Sequence, residues 1–147
     1  YISSFFVKCD VMELLFFNVS AVKGKNATLH CETGKYTPFK VLEWSRPGTK
    51  REFVLIFKTQ SSHIEVPTPS YEGRVNLETT ENGDMSLILK NVTAADKGRY
   101  ECYVLRKTNR RKRAELESVN TVYLDVLPPP SGESVCLWIR TSSSFLL

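Results

Sequence analysis

Histidine is scarce in this chain: two residues in 147, His30 and His63. Neither stands in a recognisable arrangement with a serine or cysteine nucleophile, so hydrolytic catalysis of the usual kind has no carrier. The four cysteines, Cys9, Cys31, Cys102 and Cys136, include no Cys-x-x-Cys pair, which removes the common zinc spacing. No glycine-rich phosphate loop is present. No metal, cofactor or enzymatic activity is expected. Long apolar runs are missing too. Val11–Phe17 is short and carries Glu13, and Val135–Leu147 is interrupted by Arg140. Neither is long enough to cross a bilayer as a helix. A membrane anchor is expected only outside this stretch of chain.

The middle of the chain is a succession of short apolar runs separated by turn residues, the pattern of an all-β sandwich. Asn26–Glu32 alternates, with Ala27, Leu29 and Cys31 on one face. Val41–Ser45 puts Leu42 and Trp44 on one side. Phe53–Thr59 is nearly continuous and apolar, so one of its faces must be covered or meet a partner. Ser62–Val66 reads as a short edge strand ended by Pro67 and Pro69. Arg74–Thr80 and Met85–Leu89 flank Asn82-Gly83, a strong hairpin signal. Arg99–Leu105 and Val119–Leu127 complete about nine strands. Pro128-Pro129-Pro130 then favours an extended linker. The chain divides into an N-terminal segment 1–14 (strand A or the remnant of a signal segment), one domain over 15–127, and a proline-rich linker and tail over 128–147. Four cysteines allow three pairings, and the spacing alone does not choose among them. Three Asn-x-Ser/Thr triplets mark Asn18, Asn26 and Asn91 as candidate glycosylation sites, with Asn18 and Asn91 the better placed.

Cys31, Trp44 and Asp96-Lys97-Gly98-Arg99-Tyr100-Glu101-Cys102 together resemble the framework of the immunoglobulin fold. The resemblance implies a Greek-key sandwich with a Cys31–Cys102 disulfide between the sheets and Trp44 packed on it. It also implies a tyrosine corner at Tyr100, two residues before the second cysteine. Two extra runs between Trp44 and Arg74 make it the variable (V-set) type, in which Arg74 and Asp96 commonly pair. Disulfides persist in oxidising compartments, so the protein is expected on the external side of the plasma membrane or secreted. More narrowly, Tyr71-Glu-Gly-Arg-Val75, Met85–Thr93 and Asp96–Cys102 are similar to the butyrophilin and myelin-oligodendrocyte-glycoprotein group. That similarity implies a ligand-binding domain of an immune regulator that binds a receptor on another cell and tunes T-cell signalling. The last strand lacks the Phe/Trp-Gly-x-Gly bulge of rearranged antigen receptors, reading Ser118–Asp125 instead, which argues against an antibody or T-cell-receptor chain.

Two binding surfaces follow. Tyr103 and Leu105 alternate with the inward Cys102 and Val104, and Tyr123 alternates with the inward Val122 and Leu124. With Glu43, which points outward beside Trp44, they form a candidate partner-binding patch. The second is the run Arg106–Arg113, where Arg106, Lys107, Arg110, Arg111, Lys112 and Arg113 place six cations in eight residues. Without those six, the 20 basic residues fall to 14 against 16 acidic ones, so the positive excess is local. Such a loop suits an acidic receptor surface or a sulfated glycan, and nucleic acid is not expected of an extracellular domain. The alternatives to a T-cell regulator are an adhesion module, homophilic or heterophilic, and a soluble polyanion-binding decoy.

Overall fold

The computed structural model describes residues 18–79, 83–107 and 113–129. Nine strands are present among them: β1 (Val19–Val22), β2 (Ala27–Leu29), β3 (Val41–Arg46), β4 (Glu52–Lys58), β5 (His63–Glu65), β6 (Val75–Thr79), β7 (Met85–Leu89), β8 (Gly98–Arg106) and β9 (Glu115–Leu127). Three short 3-10 turns, Gly34–Tyr36, Pro69–Tyr71 and Ala94–Asp96, are the only helical pieces among the described residues. The strands form a six-stranded sheet in the order β1-β9-β8-β3-β4-β5 and a three-stranded sheet β2-β7-β6. All pairings are antiparallel except β1 with β9, where Val19 lies opposite Leu124.

The alternation of apolar residues dictates this arrangement. Leu29, Cys31, Leu42, Trp44, Leu87, Leu89, Tyr100, Cys102, Val104 and Leu124 are fully buried between the sheets. Cys31 and Cys102 are bonded across that core. Trp44 is the register partner of Cys102 on the neighbouring strand, so the indole lies against the bridge. Its Nε1 donates to the Met85 carbonyl of the opposite sheet at 3.2 Å, which satisfies the one polar atom a buried tryptophan carries.

Some expectations need correcting. The last strand begins at Glu115, not Val119, so the β8–β9 hairpin is longer than the apolar pattern indicated. Glu115, Leu116 and Ser118 are exposed there, beyond the edge of the core. The first described strand is Val19–Val22; the Val11–Phe17 run lies outside the described residues, as do Cys9, Cys136 and Asn82. In Phe53–Phe57 a register shift between Trp44 and Ser45 lets two successive residues, Val54 and Leu55, both turn inward.

The glycine of the Asp96-x-Gly98-x-Tyr100 pattern has a steric reason. Gly98 sits at φ +137°, and a Cβ there would lie 2.8 Å from Arg46 Nη2.

Candidate functional site

One end of the sandwich is a structural clasp. Tyr100 Oη donates to the Asp96 carbonyl at 2.6 Å. Arg74 Nη2 pairs with Asp96 Oδ2, and that same oxygen accepts from Thr93 N at 2.8 Å. Arg74 also donates to the Ser70 and Asn91 carbonyls, so its guanidinium gathers three chain segments. Arg46, which carries no motif of its own, joins them. It donates to Tyr71 Oη at 3.2 Å, to the Ala95 carbonyl at 2.9 Å and to the Lys97 carbonyl at 2.7 Å, and its guanidinium lies 4.9 Å from the Tyr100 ring centre. Burial pushes the Tyr100 phenol far above its ordinary range, and it raises Tyr71 likewise. These groups hold the end of the fold together.

The outward face of the six-stranded sheet is different. Cross-strand register places Ile56, Glu43, Tyr103 and Ser118 in one row across β4, β3, β8 and β9. The adjacent row is Lys58, Val41, Leu105 and Leu116. Leu116 is 41% exposed. Below Tyr103 comes Glu101 opposite Thr121, and then Arg99 opposite Tyr123. Tyr103 and Leu105 therefore share a neighbourhood, while Tyr123 stands two outward rows away beside Arg99. A hydrogen bond to the Tyr123 hydroxyl raises the Arg99 pKa.

Arg51, from the β3–β4 connection, completes the centre of this face. Its Nε donates to Ser45 Oγ at 2.9 Å, and its guanidinium lies 4.2 Å from the Tyr103 ring centre and 5.8 Å from that of Phe53. A guanidinium this close to the centre of an aromatic ring is a cation–π arrangement. Partial burial and the neighbouring Glu101 carboxylate raise the Tyr103 pKa. Glu43 Oε2 is shielded from solvent and has no hydrogen-bond partner, and the same holds for Arg51 Nη2. An arginine, two aromatics and an embedded carboxylate thus converge on one half-buried surface. Arg51 and Leu116 escaped the sequence reading because alternation identifies faces within a strand, whereas these two arrive from a turn and from beneath the basic run.

The base of the basic hairpin is ordered by Arg106. Its Nε donates to Glu117 Oε2 at 2.6 Å, its Nη1 to the Lys35 carbonyl at 3.5 Å, and its guanidinium lies 5.3 Å from the Tyr36 ring centre. Arg113 is exposed; Arg110, Arg111 and Lys112 lie outside the described residues. Asn18, Asn26 and Asn91 are exposed. Asn91 N donates to Asn26 Oδ1 at 3.3 Å, which places two of the triplets side by side. A groove of about 330 Å³ on the sandwich flank is lined by His30, Glu32, Lys35, Tyr36, Val119 and Asn120. Among the described residues no group of three or more His, Cys, Asp or Glu could hold a metal. Among the described residues, too, no helix is long and apolar enough to cross a membrane.

The immunoglobulin V-set domain model matches residues 18–127. The chain belongs to the immunoglobulin V-set family. This V-set domain is 32% identical over 115 residues to tyrosine-protein phosphatase non-receptor type substrate 1 of Bos taurus, covering 78% of this chain and 21% of that protein. It is 30% identical over 116 residues to junctional adhesion molecule B of Homo sapiens, covering 79% of this chain and 34% of that protein. With signal-regulatory protein beta-1 of Homo sapiens it shares 34% identity over 91 residues, 61% of this chain and 21% of that protein. The V-set domain thus spans about a fifth to a third of the length of these relatives. The first name denotes a substrate of a phosphatase, and none of the three names a catalyst.

Proposed function

We propose that this V-set domain is the extracellular ligand-binding module of a cell-surface protein, and that it engages a protein on an apposed cell through the outward face around Tyr103. The observation that carries this reading is the Arg51 guanidinium stacked 4.2 Å from the Tyr103 ring centre, in the middle of an exposed sheet face. Tyrosine and arginine are enriched where protein interfaces concentrate their energy. Phe53, Ile56, Val41 and Leu105 surround that centre with half-buried apolar surface, and Glu101, Arg99 and Lys58 stand around it as a polar rim. The inter-sheet disulfide fits an oxidising, extracellular setting. Glycans on Asn26 and Asn91 would stand beside the Arg74–Asp96 clasp and leave the Tyr103 face open.

The narrower form of the reading is an immune regulator of the butyrophilin-like kind that modulates T-cell signalling. Its support is the likeness of Tyr71–Val75, Met85–Thr93 and Asp96–Cys102 to that group. A second reading is adhesion by self-association through the same face. Similarity to a protein named junctional adhesion molecule B supports it. So does the mixed charge of the face, where acidic Glu43 and Glu101 alternate with basic Arg51 and Arg99.

Fluorescent multimers of the domain, applied to a panel of primary leukocytes and epithelial cells, test the reading. Staining is expected on at least one cell type, and Tyr103→Ala should reduce it by tenfold or more at unchanged melting temperature. Equal staining by wild type and Tyr103→Ala would sink the sheet-face reading. Sedimentation of the purified domain separates the two forms: a concentration-dependent dimer that Tyr103→Ala abolishes favours self-association.

A further inference from the structure

We infer that the end of the six-stranded sheet where β8 turns toward β9 binds a sulfated polysaccharide, through Lys35, Lys40, Lys107 and Arg113. The fold assembles these four cations from three separate segments. The Lys35 carbonyl accepts from Arg106 Nη1 at 3.5 Å. Lys40 N donates to the Leu105 carbonyl at 2.8 Å. Lys107 follows Arg106 in the chain, and Arg113 precedes Glu115, the register partner of Arg106, by two residues. The segments that carry them therefore meet at the end of β8, through the Leu105 carbonyl, the Arg106 side chain and the Arg106–Glu115 register pair. Lys35 and Lys40 lie far from the arginine-rich run in sequence, and only the fold brings them to it.

All four side chains belong to exposed residues, and none makes an ion pair with another described residue. The acids that could neutralise this end are partly committed elsewhere. Glu117 is taken by Arg106 at 2.6 Å and Glu65 by Lys58 at 3.1 Å. Glu32 is exposed nearby, and Glu115 lies opposite Arg106. At the same end Arg106 is held by Glu117 and lies near the Tyr36 ring. A local excess of positive charge raises the local concentration of an anionic ligand.

The chemistry favours a polysaccharide over an acidic protein. A stable protein interface needs a desolvated centre with an aromatic or arginine anchor, and lysine is depleted there. Three of the four groups at this end are lysines, and the fourth, Arg113, is exposed. A linear sulfated chain needs no buried centre: its charges can meet flexible ammonium groups in water, and release of counterions supplies the affinity. Arg110, Arg111 and Lys112 are not among the residues of this site, and Tyr103 is not one of its ligands.

The test is chromatography of the full chain on immobilised heparin. The variant Lys35→Ala/Lys40→Ala/Lys107→Ala/Arg113→Ala is compared with a control of equal net charge, Lys23→Ala/Lys25→Ala/Lys50→Ala/Lys90→Ala, whose sites are exposed and stand toward the opposite end. Wild type and control should be retained at physiological ionic strength. The first variant should elute at clearly lower salt. Its slope of log affinity against log salt should fall by roughly 3, at ~0.7 per charge as on a single-stranded polyanion. Circular dichroism and melting temperature should match wild type, and Tyr103→Ala should elute as wild type. Co-elution of the two four-fold variants, failure of the wild type to bind, or equal retention on polyglutamate would each overturn the inference.

Discussion

The hydroxyl of Tyr100 donates to the main-chain carbonyl of Asp96 at 2.6 Å, tying the first turn of β8 to the 3-10 turn that precedes it. Both residues are buried. Tyr100→Phe removes the donor and leaves the carbonyl without its partner in a place water does not reach. A net hydrogen bond plus part of that desolvation amounts to about 1–2 kcal/mol. Urea denaturation of Tyr100→Phe should show that loss with an unchanged m value, since the fold and its buried surface are retained.

The same burial gives a pH dependence. Tyr100 and Tyr71 are both raised above the ordinary value of 10.0, first by desolvation. A raised folded-state pKa means that the native state keeps a proton that the unfolded chain gives up. The stabilisation is whole below pH 10 and is lost as pH climbs toward the folded-state values. Stability measured from neutral to alkaline pH should fall above pH 10. Tyr100→Phe, less stable at neutral pH, should show a shallower alkaline decline than wild type. A decline of the same steepness would show that Tyr100 is not the group responsible.

Asp96 is 3% exposed and depends on Arg74 for its counter-charge. Arg74→Ala strands the carboxylate with only the Thr93 amide and hydroxyl as donors. Breaking a buried pair from one side costs about 3–5 kcal/mol. Because the Arg74 side chain is 23% exposed and Thr93 remains, about 2–3 kcal/mol is expected here. Arg74→Ala/Asp96→Asn should recover part of the loss in thermal melts, because the uncompensated charge is gone.

The clasp and the core were legible in the sequence because their signals are local and chemical. Cys31 follows β2, and Trp44 and Cys102 are register partners on β3 and β8, so the three keep a recognisable spacing. Asp96, Gly98 and Tyr100 are separated by the two-residue steps that one turn and one strand impose. Even the glycine has its reason in the φ of +137° that Gly98 adopts beside Arg46. The outward face was legible only in part. Alternation turned Tyr103 and Glu43 outward, and the register confirms that they are neighbours. It could not bring in Arg51, whose approach to Tyr103 depends on how the β3–β4 turn folds back. Nor could it place Leu116, because the cations before it hid the continuation of β9. Lys35 and Lys40 carry no sequence signal that links them to Arg106, since a loop's landing point is set by tertiary packing.

Glu43 tests whether the face is shaped for a partner at the cost of the free domain. Its Oε2 is withdrawn from water between Ile56 and Tyr103 and meets no donor. Leaving a buried acceptor unpaired costs about 1–3 kcal/mol, and an apolar side chain of similar size avoids that cost. Glu43→Leu should therefore raise the stability of the isolated domain by about 1 kcal/mol in urea. A partner that supplies a lysine, arginine or amide N–H to this oxygen would lose that contact, so staining of target cells by Glu43→Leu multimers should fall as the melting temperature rises. Both shifts in opposite directions would identify Glu43 as a residue retained for binding. A destabilised Glu43→Leu would instead show that the carboxylate stabilises the free domain.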